Sequence, residues 1–242
     1  MSMEISIQNL TKVYGDYTAV NIPELLIHSG ESFGLVGNNG AGKTTLFRAV
    51  IDLLEPNTGC VYIDGNATNA TEQWKSFTGS YLDENFLVGH LLPEEYFDFV
   101  GAIHGIGDAD IKAKIEMLEP LFNGEVLGGK KLIRDLSKGN QKKVGIAAAL
   151  LFDPKVLILD EPFANLDPST QIRLKELLKM LKHDRGVTML ISSHDISHVT
   201  EVCERIVLLE KGNMVKDIST SSETLKDLEK YFAGAGVAES AE

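Results

Sequence analysis

The sequence predicts an α/β protein: a mostly parallel sheet with flanking helices, an antiparallel β portion at its N-terminal end, and a helical lobe inserted between its strands. Three observations carry this. The apolar run Ser32 to Val36 leads through a glycine-rich turn, Gly37-Asn38-Asn39-Gly40-Ala41-Gly42, into a helical pattern from Thr45 to Ile51. Val156-Leu157-Ile158-Leu159 is a short, wholly apolar run of the kind found in parallel strands buried on both faces. Between these landmarks, from Leu91 to about Leu136, apolar residues switch to helical spacing.

Taken in order, Ile5, Ile7 and Leu10, then Val20, Ile22, Leu25 and Ile27, alternate as edge strands do. The glycine-rich turn and its helix follow, and Cys60 to Gly65 reads as a strand running into a turn. In the lobe, Tyr96, Phe97, Phe99, Val100 and Ile103, then Ile111, Ile115 and Leu118, mark helices. Gly105, Gly107, Pro120 and Gly128-Gly129 punctuate them. Beyond Leu159 come a helix from about Ser169 to Lys182 and a strand from Val187 to Ile191. Ile206 to Leu209 and Met214 to Ile218 form a hairpin around Glu210-Lys211-Gly212-Asn213. The tail is helical at most to Phe232, and the small, polar stretch Ala233 to Glu242 reads as a frayed end. The expected organisation is one domain over 1–242. Residues 1–84 and 154–220 form the α/β core, about 85–153 the helical subdomain, and 221–242 a C-terminal tail.

Bulk properties exclude several classes. The 242 residues suffice for a full core. The longest apolar run, Val144 to Phe152, is interrupted by Gly145 and closed by Asp153-Pro154, short of the ~18 residues a membrane helix needs. The N-terminus carries Glu4 and lacks a basic segment followed by a long apolar one, so no secretory signal is expected. Cys60 and Cys203 lack metal spacing and read as reduced thiols of a cytosolic protein. A net charge of -12 argues against general nucleic-acid binding, with Lys138, Lys142 and Lys143 the only obvious basic cluster.

The chemistry begins at Gly37 to Thr44, where four residues separate a glycine from Gly-Lys-Thr. Glycines allow successive N–H groups to turn inward on an anion. Lys43 supplies a positive charge for β- and γ-phosphates, Thr44 a hydroxyl for Mg²⁺, and the helix that follows a positive N-terminus. In an open α/β sheet, ligands sit beyond the carboxyl ends of the strands. A second strand ends there in Asp160-Glu161-Pro162. Successive strand residues face opposite ways, so the two carboxylates should do different work. Asp160 is expected to hold Mg²⁺ through water, and Glu161 to orient and polarise the attacking water. A third strand runs through Ser192-Ser193 to His194, which would contact the γ-phosphate or steady the water.

Leu136-Ser137-Lys138-Gly139-Asn140-Gln141, about twenty residues before Asp160-Glu161, resembles the Leu-Ser-Gly-Gly-Gln signature of ABC transporter nucleotide-binding domains. Lys138 and Asn140 are departures from it. Asn165-Leu166-Asp167 looks like the family's D-loop, His194 matches its switch histidine, and Tyr14 matches the aromatic that stacks on adenine. The resemblance covers nearly the whole chain. It implies a P-loop NTPase core with ATP held by Tyr14 and by Gly37, Asn38, Asn39, Gly40, Ala41, Gly42, Lys43, Thr44 and Thr45. Glu161 and His194 would be catalytic, and Mg²⁺ would lie at Thr44 and Asp160. Ser137, Lys138, Gly139 and Asn140 would meet the ATP of a second nucleotide-binding subunit, paired head to tail.

One more departure falls at Glu84, in Tyr81-Leu82-Asp83-Glu84, where the family usually has a glutamine linking the Mg²⁺ site to the helical lobe; its carboxylate would still touch Mg²⁺ or its water, as a further metal residue beside Thr44 and Asp160. Similar substitutions occur in domains serving exporters of drugs, antibiotics, lipids and polysaccharides, so the resemblance points to that subfamily. The implied partner is a separate transmembrane permease on the inner face of the cell membrane, with Phe86 to Leu92 helping to form the cleft for its coupling helix. A soluble ABC ATPase of assembly, translation or repair type is the alternative.

Overall fold

The computed structural model describes residues 3–221 and, beyond them, 223–226, 228, 230 and 231. Helical residues occur between 224 and 231, and the expected frayed end at 233–242 lies outside the described residues.

The first alternating segments form an antiparallel hairpin, β1 (Ile5–Tyr14) and β2 (Tyr17–Ile27), with Ile5 opposite Ile27 and Leu10 opposite Ile22. The apolar period slips from Ile7 to Leu10 because Asn9 takes a left-handed conformation (φ 49°), bulging the strand without turning its apolar side outward. β3 (Ser32–Val36) precedes the glycine-rich turn and α1 (Lys43–Val50). β4 (Thr58–Ile63) pairs antiparallel with β1 on one side and with the two-residue β5 (Asn66–Ala67) on the other. Then come β6 (Thr78–Tyr81), α2 (Pro93–Ile103), α3 (Asp108–Phe122), α4 (Lys138–Leu150) and β7 (Val156–Leu159). The chain continues with α5 (Pro168–Arg185), β8 (Thr188–Ser193), α6 (Ile196–Val202), β9 (Arg205–Glu210) and β10 (Asn213–Ser219).

All ten strands join one sheet in the order β5-β4-β1-β2-β10-β9-β3-β8-β7-β6. The block β9-β3-β8-β7-β6 is parallel throughout, and the β5-β4-β1-β2 end is antiparallel. β10 bridges the two halves, antiparallel to β9 and touching β2 through the single parallel pair Asn213–Asn21. The parallel strands are buried on both faces, and alternation sorts their side chains. Val156, Ile158 and Leu190 pack on the α1 face with the β1–β2 hairpin, whereas Leu157, Leu159 and Ile191 pack on the other face. That second face shares one continuous core with Phe97, Ile111, Leu118 and Phe122 of the inserted helices, so α4, lying against β6 and β7, belongs to lobe and sheet at once.

One expectation needs correction, and two features lie outside what the sequence signals. Pro120 does not punctuate a helix but lies inside α3, where it has no N–H to offer the Glu116 carbonyl; Asn123, at φ 56°, terminates the helix. Phe99 and Ile103 share the helical period of α2, yet both are exposed. β6 was unforeseen: Thr78-Gly79-Ser80-Tyr81 has no strong strand propensity, and its pairing with β7 defines it.

Candidate functional site at the carboxyl edge of the parallel strands

The register explains why three distant segments meet. Val36 pairs with Ser193 and Leu159 with Ile191, so β3, β8 and β7 release their chains at the same edge. After β3 the backbone turns through Gly40 (φ 83°) and Gly42 (φ 106°), conformations that a side chain disfavours. Gly37 is required by close approach: a Cβ there would lie 2.4 Å from the carbonyl oxygen of Leu209. Gly42 is the N-cap of α1, no side chain caps the first-turn N–H groups, and that turn holds no acidic residue. These donors and the positive helix end suit an anion. Lys43 Nζ arches over the loop, donating to the carbonyls of Gly37 (2.6 Å) and Asn38 (3.3 Å).

The two carboxylates lie just beyond β7, where the chain leaves extended geometry, and they have different partners. Asp160 is buried; Thr44 Oγ1 donates to its Oδ2 at 2.5 Å and Ser192 Oγ donates to its Oδ1. Burial pushes the Asp160 carboxyl up, more than the Ser192 and Thr44 hydrogen bonds lower it. Thr44 and Asp160 thus place two hard oxygens side by side, a donor set that suits Mg²⁺ completed by phosphate and water oxygens. Glu161 takes a left-handed conformation (φ 48°), uncommon for a residue with a side chain. Ser192 Oγ accepts its N–H at 2.9 Å and Lys142 Nζ donates to its carbonyl at 2.5 Å. Its side chain is clasped from both sides, with Oε1 3.3 Å from Lys43 Nζ and Oε2 2.8 Å from His194 Nδ1. Glu161 and His194, far apart in sequence, are therefore direct partners.

Beside the loop lies an open cavity of about 300 Å³, lined by Tyr14, Tyr17, Ala19, residues 39–45 and Glu161. Tyr14 is half exposed on its rim with Lys12 Nζ 5.3 Å from the ring centre. Tyr17 is equally exposed, and its hydroxyl donates to Gly40 O at 3.0 Å.

The 136–141 motif forms the start of α4. Ser137 is the N-cap, its Oγ accepting the Asn140 N–H at 3.2 Å. Gln141 Nε2 donates to the carbonyls of Ile133, Arg134 and Leu136, fixing the approach to the helix. Gly139 leaves room for the 165–167 turn, since a Cβ would meet the Asn165 carbonyl oxygen at 2.6 Å. In that turn Asn165 is left-handed, Leu166 is buried, and Asp167 caps α5 by accepting from Thr170 N (3.0 Å) and Thr170 Oγ1 (2.5 Å). Among the described residues no hydrogen bond or ion pair joins the 137–140 segment to the 37–45 loop. The Glu84 carboxylate lies 2.6 Å from Lys138 Nζ and accepts from the Tyr81 hydroxyl at 3.3 Å.

Three contributors were missed. They are Ser192, Tyr17 and Lys142, of which the sequence singles out only Lys142, and that one as part of a basic cluster. That cluster is dispersed: Lys142 and Lys143 are buried, Lys142 on Glu161 and Lys143 2.8 Å from Glu125. A hydroxyl one residue from the end of a strand adjoining the Asp-Glu strand is a usable signal for Ser192; nothing local marks Lys142.

Comparison with known proteins agrees with this geometry. The family model described as "ABC transporter" matches residues 20–164. The chain is 36% identical to an uncharacterized ABC transporter ATP-binding protein, YhaQ of Bacillus subtilis, over 96% of this chain and 75% of that one. It is 32% identical to the bacitracin transport ATP-binding protein BcrA of Enterococcus faecalis (96% and 74%) and 33% identical to the sulfate/thiosulfate import ATP-binding protein CysA of Pectobacterium atrosepticum (91% and 68%). Among solved structures, the ATP-binding cassette MJ0796, a dimer in a post-hydrolysis state bound to ADP and Pi, superposes with a TM-score of 0.80. The identity is 25%, over 90% of this chain and 99% of that one.

Proposed function

This chain belongs to the ABC transporter family, as an ATP-binding subunit with ATPase activity, and from that premise we propose that two copies pair head to tail around two ATP molecules to drive a separate transmembrane permease in export. The observation that carries the proposal is the Glu161 carboxylate, clasped between Lys43 and His194 at the phosphate loop. ATP enters with its base toward Tyr14 and Tyr17 and its phosphates on the loop N–H groups and the α1 N-terminus. Its γ-phosphate draws Lys43 away from Glu161 as the stronger anion, leaving Glu161, steadied by His194, to polarise water. Thr44 and Asp160 would hold Mg²⁺, which supplies charge neutralisation on the β- and γ-phosphates.

Head-to-tail pairing is supported by the separation of Ser137 and Gly139 from the chain's own loop. An open helix N-terminus suits an anion, and a second copy brings one to it. Asn165 to Asp167, packed under Gly139, would lie at the same interface. The permease docks where β6 meets α2 and α4, at an open cavity of about 250 Å³ lined by Leu53, Phe86, Leu87, Tyr96, Val100 and His104. Leu53 and Phe86 are exposed apolar side chains there, suited to the apolar face of a coupling helix. Among the described residues no helix is long and apolar enough to cross a membrane. In this reading the translocation path lies in the permease, which would hold this subunit at the cytoplasmic face of the cell membrane. Export is favoured by Glu84 alone: the bacitracin transport subunit and the sulfate/thiosulfate import subunit are similar to the same degree and do not decide the direction.

Two substitutions test the site. Lys43→Ala should abolish tight ATP binding, and unchanged affinity by calorimetry would refute the loop assignment. Glu161→Gln should retain ATP, slow turnover by about 10²-fold or more, and trap the dimer; wild-type turnover would remove Glu161 from the mechanism.

A further inference from the structure

Two of the positions where this chain departs from the family pattern are bonded to each other. Glu84 stands where a glutamine is usual, and Lys138 where the signature has a glycine; Lys138 Nζ lies 2.6 Å from Glu84 Oε1. Glu84 opens a single 3₁₀ turn after β6, and Lys138 is the first residue of α4, directly after its N-cap Ser137. The two sides of the pair are unequal: the Lys138 side chain is 64% exposed and that of Glu84 is 21% exposed. Glu84 is also anchored by the Tyr81 hydroxyl, while its neighbour Asp83 is tied to Arg48 of α1 at 3.4 Å. The carboxylate is thus the fixed partner and the lysine the free one. Burial pushes the Glu84 carboxyl up, but the Lys138 and Tyr81 hydrogen bonds and the Lys138 charge bring it below its ordinary value. A lysine in the first turn of a helix opposes the helix dipole, and Glu84 offsets that misplacement.

We propose that Glu84 and Lys138 form an exchangeable ion pair that gates the signature: Glu84 neutralises Lys138 in the single chain, and Lys138 passes to the γ-phosphate presented by the second copy when the two pair around ATP. This rests on the head-to-tail reading above. The exposed ammonium sits at the mouth of the α4 N-terminus, beside Ser137 and Gly139, where an arriving anion would lie. A γ-phosphate carries more charge than one carboxylate and competes for the lysine; a diphosphate brings no such group to that point. Glu84 therefore acts as an internal competitor, weakening pairing until a triphosphate is present, and is a positioning residue rather than a catalytic one.

The test is ATP-dependent dimerisation measured by sedimentation, in the Glu161→Gln chain so that hydrolysis does not intervene. Glu84→Gln removes the competitor and should tighten the dimer about tenfold, at about threefold for each of two exposed pairs. Adding Lys138→Gln should erase most of that gain, and the gain should shrink as salt rises. A pair that served only to hold the fold would, when broken, weaken dimerisation or leave it unchanged. Unchanged or weakened dimerisation in Glu84→Gln, or a gain that survives Lys138→Gln, would overturn the exchange. A parent Glu161→Gln chain that stays monomeric with ATP refutes the head-to-tail reading and the exchange with it, whereas a parent that pairs while its variants do not differ refutes the exchange alone.

Discussion

Ser192→Ala removes one oxygen that serves two carboxylate-bearing residues. Ser192 is fully buried; its Oγ accepts the Glu161 N–H at 2.9 Å and donates to Asp160 Oδ1. The substitution strands a buried N–H, at about 1–3 kcal/mol, and takes a charge-assisted bond from a buried carboxylate, at about 1.5–3 kcal/mol. The two losses together amount to about 4 kcal/mol, which in a chain of this size lowers Tm by about 10 °C. The pH dependence carries a sign. Losing a bond to the ionised form raises the Asp160 carboxyl further above its unfolded value. The added destabilisation is absent where Asp160 is protonated and grows as pH rises through its raised pKa. Urea unfolding at a series of pH values, alongside ATP hydrolysis, measures both consequences. Hydrolysis should fall as well, because the left-handed turn at Glu161 loses the acceptor of its N–H. Ser193→Ala, which removes only an acceptor for the Asp195 N–H, is the matched control and should cost about 1 kcal/mol. If the two variants unfold alike, Ser192 does not hold the site together.

Two further predictions concern elements that support the site. Gly79→Ala would place a Cβ 2.1 Å from the carbonyl oxygen of Ala149, a backbone atom of α4 that has no side-chain freedom to yield. The expected loss is about 3 kcal/mol or more in urea unfolding, and wild-type stability would mean that β6 and α4 are not in this contact. Asp167 is held well below its ordinary value of 3.8 by the Ser169 and Thr170 hydroxyls and the Thr170 N–H. A depressed carboxylate stabilises the fold above its unfolded pKa, and that contribution is lost as pH falls through the folded one. Asp167→Asn should therefore flatten the decline in stability from about pH 5 to about pH 2. An unchanged acid limb would show that the α5 cap is not what titrates.

Much of the fold was legible because its signals are local. A strand buried on both faces reads as an unbroken apolar run, as at Leu157 to Leu159, and the amphipathic period of α3 survives an internal proline. β6 left no such mark, since Thr78-Gly79-Ser80-Tyr81 becomes a strand only through hydrogen bonds to β7 and the narrow clearance of Gly79 under Ala149. Phe99 and Ile103 mislead in the opposite direction: periodicity reports which residues share a helix face, but whether that face is covered depends on what packs there.

For the candidate site, the parts are readable along the chain. Gly37 to Thr45, Asp160, Glu161 and His194 stand out by residue type and by their place at one turn or strand end, and Ser137 by resemblance to the family signature. Only the tertiary structure decided which of them touch. Parallel register brought His194 to Glu161, a hydroxyl on the neighbouring strand fastened Asp160 to Glu161, and Lys142 reached the Glu161 carbonyl from another helix. It also joined Glu84 to Lys138, two substitutions that looked independent when read along the chain. The physical reason is range. Backbone conformation and apolar period are set by neighbours in sequence, whereas the partner of a charge is whichever opposite charge or dipole the packed core leaves within about 4 Å.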